Sequence, residues 1–303
     1  MNQIVAILTR NIFPIFLVAA LGFLLQRRFE LDVRTLNSIV FNVLSPCLVF
    51  SSLVSSELPI GELGSIALFT ILVVATMGVL AYGATRLLRL SRAETAAFIL
   101  VVMFVNGGNY GLTLNHLRYG EEGLSRAVVY YVVSTLLVYS VGIAIASMGH
   151  LTWRQTGARI LRVPAFYAAV LAVIIYGLRI QLPEPLLAGI SLAGSGAIPV
   201  MLLILGMQIA GLQPGQSNGM VWPAVGMRLL IGPLIAVLIA GVIGLQGMIR
   251  STSIIEASMP TAVINIVLAT EFGLPTGTVA AIVALATLFS PITLTAVISL
   301  LGL

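Results

Sequence analysis

Long apolar runs, interrupted at short intervals by arginine, glutamate, glycine and proline, dominate this chain from end to end. About 20 helical residues cross the ~30 Å hydrocarbon core of a bilayer. A backbone in lipid must satisfy its own hydrogen bonds, so each run is expected to be a helix. The pattern predicts ten spans, over residues 4–25, 36–54, 63–85, 94–117, 124–148, 164–181, 185–210, 220–246, 250–270 and 276–301. Connections are short, and the longest polar one, His150 to Val163, falls near the middle. The expected fold class is an all-α integral membrane protein of ten transmembrane helices without an attached soluble domain.

The same pattern contains an internal shift. Pro199 in span seven lies 153 residues (199 − 46) after Pro46 in span two. That shift also carries Gly107 onto Pro260, Tyr119-Gly120 onto Phe272-Gly273, and Ser134 onto Thr287. Five spans is an odd number, so a duplicated second half must enter the membrane from the opposite side. The chain is therefore expected to be two inverted five-helix repeats, residues 1–149 and 164–303, joined by a cytoplasmic connector at 150–163.

Two spans carry sequence that makes a poor helix. Span four holds Asn106-Gly107-Gly108-Asn109-Tyr110-Gly111, and span nine holds Glu256-Ala257-Ser258-Met259-Pro260-Thr261-Ala262. Glycine and asparagine weaken a helix, and proline removes one of its hydrogen bonds. Within a bilayer such stretches survive only inside protein or beside a water-filled cavity. Matched breaks in the two halves point to broken crossover helices, four and nine, that form a transport site. The expected substrate-binding residues are Asn106, Gly107, Gly108, Asn109, Tyr110, Thr113, Met259, Pro260, Thr261 and Asn265, with Asn115 and Ser258 beside them. Amides and hydroxyls can hold a carboxylate or a dehydrated ion without burying a second fixed charge.

Charge changes this picture in three places. Glu256, about one turn before Pro260, is an acid at membrane depth and a candidate for ion or proton coupling. Ser134, Thr135 and Thr287 are candidates to complete that ring, and a sodium ion near Glu256 remains open; no metal site is otherwise expected. Arg228, within span eight, is expected to snorkel to the cytoplasmic face. Pro46 and Pro199 are expected to kink scaffold helices, with the small residues at Gly194-Ser195-Gly196-Ala197 allowing close helix contact or a dimer interface. Pro199 could also form one wall of a substrate path.

Composition agrees with the apolar pattern. The chain of 303 residues is 59% hydrophobic and 8% charged, whereas a soluble chain carries roughly a quarter charged residues. All 15 cations are arginines and the formal net charge is +5. They lie between apolar runs, as juxtamembrane anchors do, so nucleic-acid binding is not expected. The connections after spans one, three and five hold nine arginines, and those after spans two, four, six and eight, counted with the adjoining helix ends, hold four, Arg118, Arg126, Arg179 and Arg250. Arginine-rich connections stay cytoplasmic, which predicts a multi-pass inner (plasma) membrane protein with both termini outside. Positive charge follows the first apolar run at Arg27-Arg28 instead of preceding it, so that run is expected to be a retained span. The single cysteine, Cys47, excludes an intramolecular disulfide.

With these residues in place, the chain resembles the auxin efflux carrier family of PIN-like transporters. The likeness rests on Leu44-Ser45-Pro46-Cys47-Leu48-Val49-Phe50, Asn106-Gly107-Gly108-Asn109-Tyr110-Gly111-Leu112, Ala197-Ile198-Pro199 leading to Leu205-Gly206-Met207, and Glu256 to Ala262. It covers all ten spans in order. It implies a fold shared with bile acid:sodium symporters: a dimerising scaffold of helices 1, 2, 6 and 7, and a mobile transport domain of helices 3–5 and 8–10. It also implies elevator-type movement of a small organic anion, auxin-like or a dicarboxylate such as malate or malonate. Plant members carry a proline where this chain has Gly107-Gly108 and often a long central loop that is absent here, so auxin specificity is not implied. The Glu256 stretch is also similar to one in the sodium symporters, which keeps sodium coupling beside proton coupling.

An organic-anion transporter without a cofactor is thus the expected function, with a sodium-coupled symporter of the bile-acid type as the alternative and a channel behind it. An enzyme is not expected. Asp32 is the chain's one aspartate and lies in a loop, and no serine has a nucleophile setting near either histidine.

Overall fold

The computed structural model describes residues 2–56, 58–147, 163–211 and 219–303. The connector expected at 150–163 lies, except for Val163, outside them. The described residues form helices joined by turns and irregular segments, and among them the one β pairing is an isolated antiparallel bridge between Val105 and Thr261. Seven helices are long and apolar enough to cross a membrane. In chain order they are α1 (Ile4–Phe29), α2 (Val33–Val54), α3 (Gly61–Leu87), α5 (Gly107–Ala146), α7 (Glu184–Ala210), α8 (Val221–Val242) and α11 (Thr276–Leu301). Four shorter helices lie among them: α4 (Arg92–Met103), α6 (Pro164–Gly177), α9 (Gly247–Ala257) and α10 (Ile264–Glu271).

The difference between seven long helices and ten apolar runs has local causes. Gly120 adopts a φ of +64° inside α5, so the helix is kinked there between the fourth and fifth runs. Gly273, its counterpart under the 153-residue shift (273 − 120), has φ +65° and turns the chain between α10 and α11. Only glycine enters that region without steric cost. The fourth and ninth runs are each divided in two, and the sixth is helical over only 14 residues.

Helix ends in the polar loops are capped by their own sequence. Asp32 begins α2 by accepting from the Arg34 amide at 3.0 Å and the Thr35 hydroxyl at 2.6 Å. Ser91 and Glu94 begin α4 with a reciprocal capping box. Six residues after the Gly120 kink of α5, Arg126 grips Glu62 of α3 through two bonds, at 2.8 and 3.3 Å.

Packing falls into two groups. One contains α1, α2, α6 and α7, with α7 lying along α1 and both α6 and α7 against α2. The other contains α3, α4, α5, α8, α9 and α11, with α9 held between α5, α3 and α8. Leucine, valine and phenylalanine on the outer faces, such as Leu192, Val79 and Phe13, remain exposed, as lipid-facing side chains would be. The α1/α7 crossing is especially close. A Cβ on Gly206 would collide with the Ala19 carbonyl oxygen, and one on Gly22 with the Leu203 carbonyl oxygen. Gly194, in the small-residue run, brings α7 to within contact of the Leu48 backbone of α2. Without competition between water and lipid to drive helices together, such backbone proximity supplies the packing.

Gly206→Ala should therefore lower the melting temperature of the purified protein by roughly 2–10 °C, from an overpacking cost of ~1–3 kcal/mol. Gly64→Ala, where a Cβ meets open space, is the control and should leave melting unchanged.

Candidate functional site

Helix α4 stops at Met103 and the chain runs extended through Phe104 to Asn106 before turning into α5. Helix α9 stops at Ala257, and residues 258–263 pass irregularly into α10. The two interruptions meet. The Asn106 amide donates to the Pro260 carbonyl at 2.8 Å, and the Ala262 amide donates to the Phe104 carbonyl at 2.9 Å. Side chains complete the exchange: the Thr261 hydroxyl donates to the Val101 carbonyl at 2.8 Å, and the Asn265 amide to the Phe104 carbonyl at 3.4 Å. The backbone groups freed by each break are thus satisfied largely by the other break, as a lipid-embedded chain requires.

Beyond this junction, α5 opens with a wide π-helical turn over Gly107–Gly111. Its glycines are needed for close approach. A Cβ on Gly107 would lie 2.7 Å from Glu256 Oε2, and one on Gly111 would overlap the same carboxyl group. A Cβ on Gly108 would press into the Tyr131 ring at 2.8 Å. The Glu256 side chain is fully buried and sits against the N-terminal turn of α5, where the helix dipole favours negative charge. Its Oε1 accepts from the Asn115 side-chain amide at 3.1 Å, and that amide also donates to the Gly111 carbonyl at 3.1 Å. Glu256 makes no ion pair with Arg250 among the described residues.

Several buried polar atoms here have no hydrogen-bond partner among the described residues: Glu256 Oε2, Asn115 Oδ1, Asn106 Nδ2 and Asn265 Oδ1. Unpaired buried groups are uncommon in native proteins, and a cluster of them calls for a reason. This set offers three acceptors and one donor, which suits a proton or cation beside Glu256 and a polar solute beside Asn106.

The structure unites most of the expected site. Asn106, Gly107, Pro260, Thr261, Asn265 and Glu256 adjoin through the contacts above. Gly108, Asn109 and Tyr110 continue the first turn of α5, and Met259 is buried in the α9 break. Tyr110 packs edge-on against Phe16 of α1, with ring centroids 5.8 Å apart. Thr113 bonds back to the Asn109 carbonyl at 3.3 Å. Ser134 and Thr287 are buried in α5 and α11, and Thr135 is half-buried. None of these three bonds to the crossover segments among the described residues. Pro46 follows a wide turn in α2, and Pro199 follows a bend of α7 at Gly196.

One expectation is overturned. Arg228 does not snorkel: its side chain is fully buried, and its guanidinium donates to the Val102 carbonyl at 2.8 Å and to the Ala257 carbonyl. Snorkelling needs a path to the headgroups, whereas here two helix ends offer nearer acceptors. The sequence signal was Gly232, one turn later, which leaves the space the guanidinium fills.

A cavity of about 920 Å³ lies between α2, α5 and α7. Its lining includes Ser51, Ser55, Ser191, Ser195 and His116 as well as Pro199, which alone of the expected site residues borders it. His116 Nδ1 lies 3.5 Å from Glu121 Oε1. His116, which borders this space, follows Asn115 in the chain, but neither Asn115 nor Glu256 lines it. The serines are dispersed over two helices, so no linear motif announced it.

Comparison with known proteins supplies the remaining context. A family model described as membrane transport protein matches residues 7–151 and 145–298. An uncharacterized transporter of Methanothermobacter thermautotrophicus is 29% identical over 296 residues, covering 94% of this chain and 96% of that one. An uncharacterized transporter of Methanocaldococcus jannaschii is 25% identical over 274 residues, covering 86% and 87%. A probable auxin efflux carrier component 1b of Oryza sativa is 28% identical over 129 residues, covering 40% of this chain and 22% of the rice protein.

Thr261→Val removes one bond across the junction while keeping the side-chain shape. It should cost about 1 kcal/mol and lower melting by roughly 2–4 °C. Ser251→Ala, which loses an exposed bond within α9, should have no measurable effect.

Proposed function

The chain belongs to the membrane transport protein family, that of the auxin efflux carriers, and from that premise we propose that it is a secondary transporter of a small organic anion. The observation that carries this reading is the junction of two interrupted helices, with unpaired amides and a buried carboxyl group beside it. A channel does not need such a junction. Many carriers use one, because it can replace a solute's water in one place while that place changes sides.

In this account the architecture is ten spans in two inverted five-helix repeats. Gly120 separates spans four and five, and the pairs α4/α5 and α9/α10 form the two broken spans. The positive φ shared by Gly120 and Gly273 supports the repeat. Helices α1, α2, α6 and α7 form a scaffold that dimerises, and the rest forms a transport domain that moves against it like an elevator. The serine-lined cavity lies between α2 and α7 of the scaffold and α5 of the transport domain, where such motion would open a path. The protein sits in the inner (plasma) membrane with both termini outside.

The substrate carboxylate would meet Asn106, Asn109 and the free amides at the start of α5, where the dipole is positive. Glu256 couples movement to a proton or to sodium, since it is buried, singly hydrogen-bonded, and close to the unpaired Asn115 Oδ1. Sodium coupling of the bile-acid-symporter type is the alternative to proton coupling at the same carboxyl group.

Uptake of labelled malonate and indole-3-acetate into proteoliposomes tests this reading. Asn109→Ala and Pro260→Ala should each lower uptake roughly tenfold, the worth of ~1.4 kcal/mol of lost transition-state binding, with folding retained. Wild-type uptake by both variants would remove the junction from the mechanism. Glu256→Gln should abolish the dependence of uptake on pH or on sodium, whereas an unchanged dependence would leave Glu256 with a structural role only.

A further inference from the structure

Arg228 and Glu256 are the two formally charged side chains that are fully buried among the described residues. Glu256 faces a helix N-terminus; Arg228 faces two helix C-termini. Val102 is the penultimate residue of α4, Ala257 is the last residue of α9, and both carbonyls accept from the Arg228 guanidinium. No carboxylate forms an ion pair with it among the described residues. Its charge is opposed instead by two helix dipoles, each worth roughly half an elementary negative charge at its C-terminal end. Those two halves match one positive charge.

The surroundings are shaped for this arrangement. Arg228 lies in a wide π-helical turn of α8, Met227–Ile231. A Cβ on Gly232 would lie 2.8 Å from the guanidinium carbon, so a side chain there would displace the guanidinium from this position. Both terminal nitrogens of the guanidinium donate to main-chain carbonyls, its Nε has no partner among the described residues, and Arg228 does not border the serine-lined cavity. It is poorly placed to bind the transported solute. Converging carbonyls at half-helix C-termini are, in other transporters, a setting for a monovalent cation.

We propose that Arg228 is a positioning residue that serves as a tethered cation, filling the place between the ends of α4 and α9 where a monovalent ion would otherwise be needed. The crossover is then held together at its C-terminal side by the chain itself, and exchangeable ion or proton chemistry is confined to the Glu256 side. The claim concerns stability of the crossover and does not depend on which solute is carried.

Chemical rescue tests it without a transported substrate. Arg228→Ala empties the space between the two carbonyls, and the melting temperature of the purified protein should fall by about 5–15 °C. Millimolar guanidinium chloride should restore a substantial part of that loss, while choline chloride at equal ionic strength should not. Wild-type protein should show no stabilisation by guanidinium. A variant that melts like wild type, or that recovers equally in choline, would overturn the proposal. If Arg228→Ala gives no folded protein even with guanidinium present, Arg228→Met decides. Met keeps much of the volume without the charge, so melting at or above the wild-type temperature contradicts the tethered cation, and a clear loss supports it. Because the readout is melting, failure here leaves the transport reading intact, and failure of uptake leaves this result intact.

Discussion

Everything in this structure depends on how two interrupted helices satisfy their backbone inside a bilayer. Water cannot pair with a freed amide or carbonyl at membrane depth, and each group left alone would cost several kcal/mol. Here the interruptions satisfy each other. Asn106 and Pro260, and Ala262 and Phe104, exchange two main-chain bonds, and Thr261 and Asn265 add two more from side chains. The result is a very short stretch of antiparallel pairing in an otherwise helical protein. It fixes four half-helices about one point and directs both N-terminal and C-terminal dipoles toward it.

That geometry sorts the two buried charges by sign. The carboxyl group of Glu256 lies against the start of α5, and the guanidinium of Arg228 lies across the ends of α4 and α9. Each charge meets the dipole end of opposite sign, which is the arrangement that lowers the cost of burial. The differences between the two sides are equally informative. Arg228 is held by two main-chain acceptors and leaves only its Nε unpaired, whereas Glu256 has a single side-chain donor and an unpaired oxygen beside the unpaired Asn115 Oδ1. One charge is built into the frame and the other remains available for exchange.

Much of this could be read from the residues. Apolar runs marked the helices, and the glycines, asparagines and proline at 106–111 and 256–262 marked the breaks before any coordinates. The depth of Glu256 followed from its distance to Pro260. What the sequence did not disclose were long-range partners. Asn115 and Glu256 lie 141 residues apart, and only folding brings them to 3.1 Å. The glycines of the fourth run were legible as helix-weakening residues, but not that a carboxyl group occupies the space beside Gly107 and Gly111. Arg228 was misjudged because a charge in an apolar run has two outcomes, reaching out to headgroups or inward to helix ends. Sequence distance to the membrane surface does not decide between them.

The pairing of the breaks can be tested by a single cross-link. Val105 and Thr261 oppose each other as a narrow antiparallel pair, for which Cα atoms lie about 4.5 Å apart, within disulfide range. In a Cys47→Ser background, Val105→Cys combined with Thr261→Cys should form a disulfide on mild oxidation, detected as a linked peptide by mass spectrometry after digestion. Two free thiols in the folded, oxidised double variant would contradict the junction on which the account rests.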